Sequence, residues 1–205
     1  RGSLYYLLKA SDIERVIIPA YTCKAVAEAI ILAGKKYICV DVDNETFNLS
    51  LNELKKIELH YNDALLATHQ FGFPCDINEI MNYCNEKGVI VIEDAAASLN
   101  SYHNGQLCGT FGDASFFSFD STKMIHVPMK GGFLIIKDDI WFKRVQQIYY
   151  EEVAIMNFHE KISLIVMGIA LKIIEKKLIY SIFHYFYFDL RHKFTDDSPS
   201  LNISL

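Results

Sequence analysis

Short aliphatic runs alternate with amphipathic stretches up to about residue 140. The runs are rich in Val, Ile and Leu and stop at prolines, carboxylates or polar turns, as strands buried on both faces do. They lie at residues 16–18, 37–40, 64–68 and 89–92. The stretches between them carry apolar residues at helical spacing and end at glycines, which predicts helices at residues 24–32 and 77–87. Ser50 followed by Glu53 resembles a capping box and predicts a further short helix.

Strands that alternate with helices indicate crossover connections and a mostly parallel sheet. Two later runs, residues 115–119 and 133–136, predict further strands, with Gly131 and Gly132 turning the chain into the second one. We therefore expect an α/β fold, a three-layer sandwich up to about residue 140. Its ligand site should lie beyond the carboxyl ends of the strands.

The tail of the chain has a different pattern. From Trp141 to Leu190 it is helical and rich in aromatic residues, without a strong strand signal. Lys172 and the charged residues 175–177 interrupt the apolar stretch 163–171, which falls short of the about 20 residues that a membrane-spanning helix needs. These helices are predicted to pack on the large domain or on a partner subunit. Contact of segment 163–188 with a membrane surface is the alternative.

The composition describes a globular chain with one substantial core. Of its 205 residues, 51% are hydrophobic and 22% charged, which excludes a disordered tail. A net charge of −5 gives no general attraction to a nucleic acid, so no such partner is expected. The five cysteines are odd in number and form no C-x-x-C pair, which predicts neither a disulfide framework nor a zinc ribbon and fits a reducing cytoplasm.

The strongest local signal for chemistry is the pair Glu93–Asp94 after the run 89–92. A parallel sheet would bring both carboxylates to the edge where α/β folds bind ligands. Two interpretations stay open, a satisfied pair at a strand end or a site for a cationic ligand. No metal is expected, because His69 is isolated and His103 lies nine residues beyond Asp94, so no ligand cluster accompanies the pair.

Hydroxyl groups and a lysine share the loop at residues 118–123, which reads Ser-Phe-Asp-Ser-Thr-Lys. Such groups can hold a phosphate and place an amine beside it. Neither G-x-x-x-x-G-K-[ST] nor G-x-G-x-x-G occurs, so nucleoside-triphosphate and dinucleotide binding lose their main support. A solvated lysine is the alternative interpretation of Lys123, but a partly neutral lysine amine can form a Schiff base.

Eight short blocks follow one another along the chain. They are Ile18–Cys23, Val40–Asp43, Thr68–Asp76, Val91–Ala96, Gly109–Asp113, Phe117–Phe119, Thr122–Lys123 and Gly131–Gly132. Together they resemble the DegT/DnrJ/EryC1/StrS family of sugar aminotransferases, which depend on pyridoxal 5'-phosphate. The similarity runs from about Gly2 to Asp138 and implies the large domain of the type I aminotransferase fold.

The resemblance implies roles for particular residues. Lys123 would form the internal aldimine with the cofactor aldehyde and then move a proton between the substrate carbon and C4'. Asp94 would pair with the pyridinium nitrogen and keep it protonated, so that the ring withdraws electrons. Ser118 would hold the cofactor phosphate together with Gly2 and Ser3, which lie at a helix N-terminus.

Further positions extend the resemblance or depart from it. His69 either approaches the cofactor or is a hydrogen-bonded structural histidine. Cys23 stands where many members carry an aromatic ring that stacks on the cofactor, so Cys23 packs beside that ring or Tyr21 replaces the stacking. Ala97 stands where Gln or His is common near the phenolic oxygen, and Ser98 is the neighbouring donor.

The implied reaction is the transfer of an amino group to a keto group of a nucleotide-linked sugar, with glutamate as the expected amino donor. Relatives that are sugar dehydratases carry His at the position of Lys123, so the lysine argues against that variant. Lys130 is a second candidate for the aldimine lysine. The family's sites lie at a dimer interface, which implies a homodimer.

Residues 1–140 are predicted to form the cofactor-binding large domain, N-terminally incomplete. Residues 141–205 are predicted to be a helical, aromatic-rich region that leads toward a missing C-terminal small domain. A hypothesis of another class is a catalytically impaired or truncated relative that acts as a dimerisation or membrane-peripheral scaffold, which Cys23 and Ala97 favour. A flavodoxin-like binding domain is a third hypothesis.

Overall fold

A six-stranded sheet forms the centre of the computed structural model, which describes residues 2–120, 123, 131–153 and 157–174. The strands of this sheet are β1 (Arg15–Pro19), β2 (Lys36–Val40), β3 (Asp63–Thr68), β4 (Ile90–Asp94), β7 (Ala114–Ser118) and β8 (Gly132–Ile136). Two short strands, β5 (Tyr102–His103) and β6 (Gln106–Leu107), form a separate two-stranded sheet. The helices are α1 (Gly2–Lys9), α2 (Lys24–Leu32), α3 (Leu51–Leu54), α4 (Ile77–Lys87), α5 (Asp139–Glu152) and α6 (Phe158–Ile174). All six strands expected from the aliphatic runs are confirmed.

The sheet order is β2-β1-β3-β4-β7-β8. All neighbouring strands pair in parallel except β7 and β8, which are antiparallel, so the expected mostly parallel sheet is confirmed. The carboxyl ends of β1, β2, β3, β4 and β7 therefore lie at one edge of the sheet. This edge carries the candidate site.

Helices cover both faces of the sheet, which makes the three layers that the sequence predicts. Side chains at alternate strand positions divide into two cores. The first core packs Ala64, Leu66 and Ile92 against α1, α2 and α5, and the second packs Leu65 and Val91 against α3 and α4. Full burial of one such aliphatic side chain contributes about 1.5–3 kcal/mol. The first face, covered by α1, α2 and α5, is called the α1 face below.

Local signals fix the helix ends. The bounds of α2 and α4 match the predicted ranges, and α4 ends at Gly88, whose φ of 67° lies in the left-handed region that favours glycine. Ser50 caps α3 by accepting a hydrogen bond from the Glu53 amide at 3.4 Å. Only half of the expected capping box forms, because the Glu53 carboxylate pairs instead with Lys56 at 2.6 Å.

The antiparallel hairpin of β5 and β6 was not expected from the sequence. Asn104 and Gly105 form its turn with φ values of 51° and 81°. Asn-Gly is the preferred dipeptide for a two-residue hairpin turn, because both positions need positive φ. The Asn-Gly turn signal was present in the sequence. The two-residue strands on either side of it are too short to show the hydrophobic alternation that would have identified a hairpin.

The described chain divides into two compact units, residues 1–154 and 155–205. Helix α5 belongs to the first unit, where Trp141 and Val145 are buried and the Trp141 indole donates to the Leu7 carbonyl at 3.0 Å. Helix α6, in the second unit, agrees with the predicted helical tail, while the expected helical residues 175–190 lie outside the described residues. Among the described helices, none is long and apolar enough to cross a membrane.

Candidate active site

Asp94 ends β4 and is 7% exposed. From the described residues its carboxylate accepts one hydrogen bond, from the Ala96 amide at 3.0 Å. Burial raises the pKa of this carboxyl above its ordinary value, and that hydrogen bond and the nearby charge of Lys123 oppose the rise. Asp94 is thus a buried acid with one donor in the part of the chain that the structure describes, which leaves room for a cationic partner.

Polar residues end the strands on either side of Asp94. Asp94 pairs in register with Thr68 on β3 and with Phe116 on β7. Because paired residues of parallel strands face the same way, and Ser118 is two positions beyond Phe116, the side chains of Thr68, Asp94 and Ser118 all lie on the α1 face. The alternation of the two cores along the same strands agrees with this assignment.

The N-terminus of α1 meets the same edge. Gly2 and Ser3 open this helix, and its first turn holds no acidic residue. Gly132 pairs with Ser118, and a Cβ built on Gly132 would lie 3.5 Å from the Ser3 hydroxyl and 2.3 Å from the Phe117 carbonyl. Glycine at 132 therefore lets β8 approach closely, and Ser3 and Ser118 come together beside the free amides of a helix start.

Lys123 is half-buried, and its amide donates to the Asp120 carbonyl at 2.9 Å in the turn after β7. The positive charge of its ammonium opposes the rise in the pKa of the Asp94 carboxyl. The second candidate, Lys130, lies outside the described residues.

Glu93 points to the opposite side of the sheet from Asp94 and is fully buried, at 0% exposed. It accepts hydrogen bonds from the amides of Gly109, Phe111 and Gly112, each at 2.7 Å, and from His69 Nε2 at 3.0 Å. Burial alone would raise the pKa of Glu93, but the bonds from His69, Gly112 and Gly109 outweigh it and the pKa is lowered. For Glu93 the structure favours the interpretation as a satisfied strand-end carboxylate.

His69 uses both ring nitrogens within the protein. Its Nδ1 accepts from the Cys75 amide at 3.2 Å, so Nε2 carries the proton that it donates to Glu93. The ring is 0% exposed, and its backbone amide donates to the Asp94 carbonyl at 3.2 Å. These contacts describe a structural histidine, and a contact with a cofactor would have to use a ring face.

Cys23, Tyr21 and Ala97, the positions linked to departures from the family pattern, differ in their exposure and contacts. Cys23 precedes α2 in extended backbone, with an exposed side chain that makes no capping bond. Tyr21, the alternative for stacking, is 50% exposed and lies 5.6 Å from Phe47 and 6.0 Å from Phe71 between ring centroids. Ala97 has only a methyl side chain and cannot donate a hydrogen bond to a ligand.

Two buried hydroxyls near this edge lack a hydrogen-bond partner within the described chain, Thr68 Oγ1 and Ser98 Oγ. Ser98 was expected as a possible donor, whereas Thr68 was not singled out. A polar residue that ends an aliphatic strand next to an acidic strand end is the sequence signal that could have identified it. Together with the single donor to Asp94, these orphaned groups fit a site that receives a polar ligand.

Comparison with known proteins gives a consistent result. The sequence model of the DegT/DnrJ/EryC1/StrS aminotransferase family matches residues 2–176. The chain is 34% identical over 137 residues to the GDP-perosamine synthase of Escherichia coli O157:H7, covering 67% of this chain and 37% of that protein. It is 32% identical over 152 residues to the dTDP-4-dehydro-2,3,6-trideoxy-D-glucose 4-aminotransferase of Saccharopolyspora spinosa, covering 73% and 39%.

A solved structure shares the fold as well. The crystal structure of DesI in the presence of its TDP-sugar product superposes with a TM-score of 0.67 and 26% identity, covering 73% of this chain and 38% of that one. The expected α/β fold of this aminotransferase class is confirmed. The chain spans 37% and 39% of the length of the two relatives named above.

Proposed function

The chain belongs to the DegT/DnrJ/EryC1/StrS aminotransferase family, and on that premise we propose that it is the cofactor-binding part of an aminotransferase that uses pyridoxal 5'-phosphate. The substrate would be a keto group on a nucleotide-linked sugar, the amino donor glutamate, and the assembly a homodimer. The names of its relatives support the sugar class, since both act on nucleotide-linked sugars by name.

The observation that carries the proposal is the convergence of four groups on one edge of the sheet. Asp94 and Ser118 share the α1 face, Ser3 lies against the strand that pairs with Ser118, and the charge of Lys123 reaches Asp94. An amine, a buried acid and a hydroxyl-lined helix start are the groups that an aldehyde, a pyridine nitrogen and a phosphate require.

Each residue has a distinct task in this proposal. Pyridoxal phosphate, when bound, supplies an electron-withdrawing ring that stabilises the carbanion left by deprotonation. Asp94 holds a proton on the ring nitrogen, and the positive charge there offsets the burial that otherwise raises the pKa of its carboxyl. Ser3 and Ser118 hold the phosphate with the amides of α1.

Lys123 has two tasks, to bind the cofactor aldehyde through its amine and to move the proton at the substrate carbon. Its half-buried position and its effect on the pKa of the buried Asp94 support both tasks. The Cys23 sulfur and the Tyr21 ring precede α2 at the same edge and are the candidates for contact with the ring face.

Reduction with borohydride tests the proposal. The full chain is incubated with pyridoxal phosphate and reduced, and the modified peptide is identified by mass spectrometry. We expect one adduct, on Lys123, that is lost in Lys123→Ala and retained in Lys130→Ala. An adduct on Lys130 would contradict the assignment of Lys123, and the absence of any specific adduct in the folded chain would contradict cofactor binding.

A second candidate function is a scaffold that docks through α6. Apolar side chains occur around this helix and are exposed, among them Ile165 at 62% and Val166 at 59%. A helix that is apolar all round is normally covered by another surface. Liposome flotation and sedimentation of the chain without cofactor separate this role from catalysis, because a scaffold needs neither Lys123 nor pyridoxal phosphate.

A further inference from the structure

Thr68 is a buried residue to which the family assignment gives no role. Its side chain is 6% exposed, and its hydroxyl has no hydrogen-bond partner among the described residues. Burying a hydroxyl without a partner costs free energy, so such a group in a well-packed strand needs an explanation. The neighbouring residues of β3 are aliphatic, and a valine at this position would avoid the cost.

The location of Thr68 suggests the explanation. Thr68 pairs in register with Asp94, and adjacent strands are about 4.8 Å apart, so the two side chains stand side by side on the α1 face. No hydrogen bond joins them. A group held against the Asp94 carboxylate would therefore also lie within reach of the Thr68 hydroxyl.

The order of strands sets which part of a cofactor Thr68 would meet, a step that rests on the proposed function. Thr68 is on β3 and Ser118 on β7, and these strands lie on opposite sides of β4, which carries Asp94. In pyridoxal phosphate the phosphate arm and the phenolic oxygen lie on opposite sides of the axis from the ring nitrogen to the aldehyde carbon. With the nitrogen at Asp94 and the phosphate toward Ser118, the phenolic oxygen is directed toward β3.

We propose that the Thr68 hydroxyl donates a hydrogen bond to the phenolic-oxygen side of bound pyridoxal phosphate. Ala97 has no polar side chain to do so, and Thr68 lies on the same face as Asp94. In the absence of the cofactor this hydroxyl is a cost to the fold, and in its presence the hydroxyl is satisfied. Thr68 is thus a cofactor-binding residue whose contributions to stability and to binding have opposite signs.

The test compares Thr68→Val, which removes the unpaired hydroxyl, with Thr68→Ser, which keeps it. Urea unfolding of the cofactor-free chain and titration of the visible absorption band with pyridoxal phosphate are measured for both. We expect Thr68→Val to match or exceed the wild type in stability. We expect Thr68→Val alone to raise the Kd about five- to tenfold, the effect of one hydrogen bond. A cofactor analogue without the phenolic hydroxyl should bind wild type and Thr68→Val equally.

Other outcomes would overturn the inference about Thr68, and one of them would also reject the proposed function. An unchanged Kd in Thr68→Val, or an equal loss of affinity in Thr68→Ser, would overturn the inference and leave the proposed function standing. Lower stability of cofactor-free Thr68→Val would show that the hydroxyl has a structural partner and would also overturn it. Failure of the wild type itself to bind pyridoxal phosphate would reject the proposed function, and the inference with it.

Discussion

Glu93 and Asp94 are adjacent, both end β4 and both are buried, yet they face opposite sides of the sheet and have different surroundings. Glu93 accepts bonds from His69 and three backbone amides, and its pKa is lowered. Asp94 accepts one amide bond from the described chain, and its pKa is raised. Burial is common to both carboxylates, so the supply of donors is what separates the structural one from the one available to a ligand.

The largest expected effect comes from Glu93→Gln. The side-chain amide would turn its NH2 group toward backbone donors that need an acceptor, and the charge-assisted hydrogen bonds to the carboxylate would be lost. We expect a fall of about 3–5 kcal/mol in the free energy of unfolding, measured by urea denaturation of the cofactor-free chain. A loss below 1 kcal/mol would contradict the structural role of Glu93.

Asp94→Asn should leave stability intact and weaken cofactor binding. Asparagine keeps the shape and can still accept the Ala96 amide, so the unfolding free energy should stay the same or rise. Cofactor binding should weaken by about 2–5 kcal/mol, because a buried charge pair with the ring nitrogen would lose one member. Titration of the visible absorption band measures this. If Asp94→Asn destabilised the chain as much as Glu93→Gln, the comparison between the two residues would fail.

The two carboxylates should also give opposite dependences of stability on pH. The folded pKa of Glu93 is lowered, so its stabilisation is complete above its unfolded pKa of about 4.3 and is lost as pH falls through the folded value. The folded pKa of Asp94 is raised, so its ionisation destabilises the cofactor-free chain above that value, and acidification removes the penalty.

Unfolding of the cofactor-free variants between pH 3 and 7 measures these opposite slopes. At neutral pH the wild type should be more stable than Glu93→Gln and less stable than Asp94→Asn. Both differences should shrink below about pH 4, where the two carboxylates are protonated in the unfolded chain. Differences of the same sign for the two variants at neutral pH would refute the assigned shifts.

A smaller effect than that of either carboxylate variant is expected from Ser118→Ala. Loss of one hydrogen bond to a phosphate should weaken binding of pyridoxal phosphate by about 1.5 kcal/mol. Binding of pyridoxal, which lacks the phosphate, should not change. An equal loss of affinity for both ligands would show that Ser118 does not contact the phosphate. It would also argue against the assignment of the phosphate to the α1 face.

Much of the fold could be predicted because a strand buried on both faces is a continuous aliphatic run. Such a run can be recognised in the sequence without knowing which strands lie beside it. The run 89–92 ends at Glu93–Asp94 in the sequence, and β4 ends at the same residues. Alternation along a strand also indicates that Glu93 and Asp94 point to opposite faces. The hairpin around Asn104 was missed, since each of its strands has two residues and too few side chains to form a pattern.

The site could be predicted only in part. The resemblance named Asp94, Ser118 and Lys123, and the structure brings them to one edge. The sequence could not show which carboxylate is satisfied, because the donors to Glu93 come from the loop 109–112, whose backbone turns three amides toward it. The strand pattern could have singled out Thr68, but only the packed structure shows that its hydroxyl lacks a partner among the described residues.

We propose that Asp94, and not Glu93, faces the cofactor. The most direct test is the 15N chemical shift of the ring nitrogen in 15N-labelled pyridoxal phosphate bound to the full chain. We expect a protonated nitrogen in the wild type and a deprotonated one in Asp94→Asn. A nitrogen that is unprotonated in the wild type, or that stays protonated in Asp94→Asn, would contradict it.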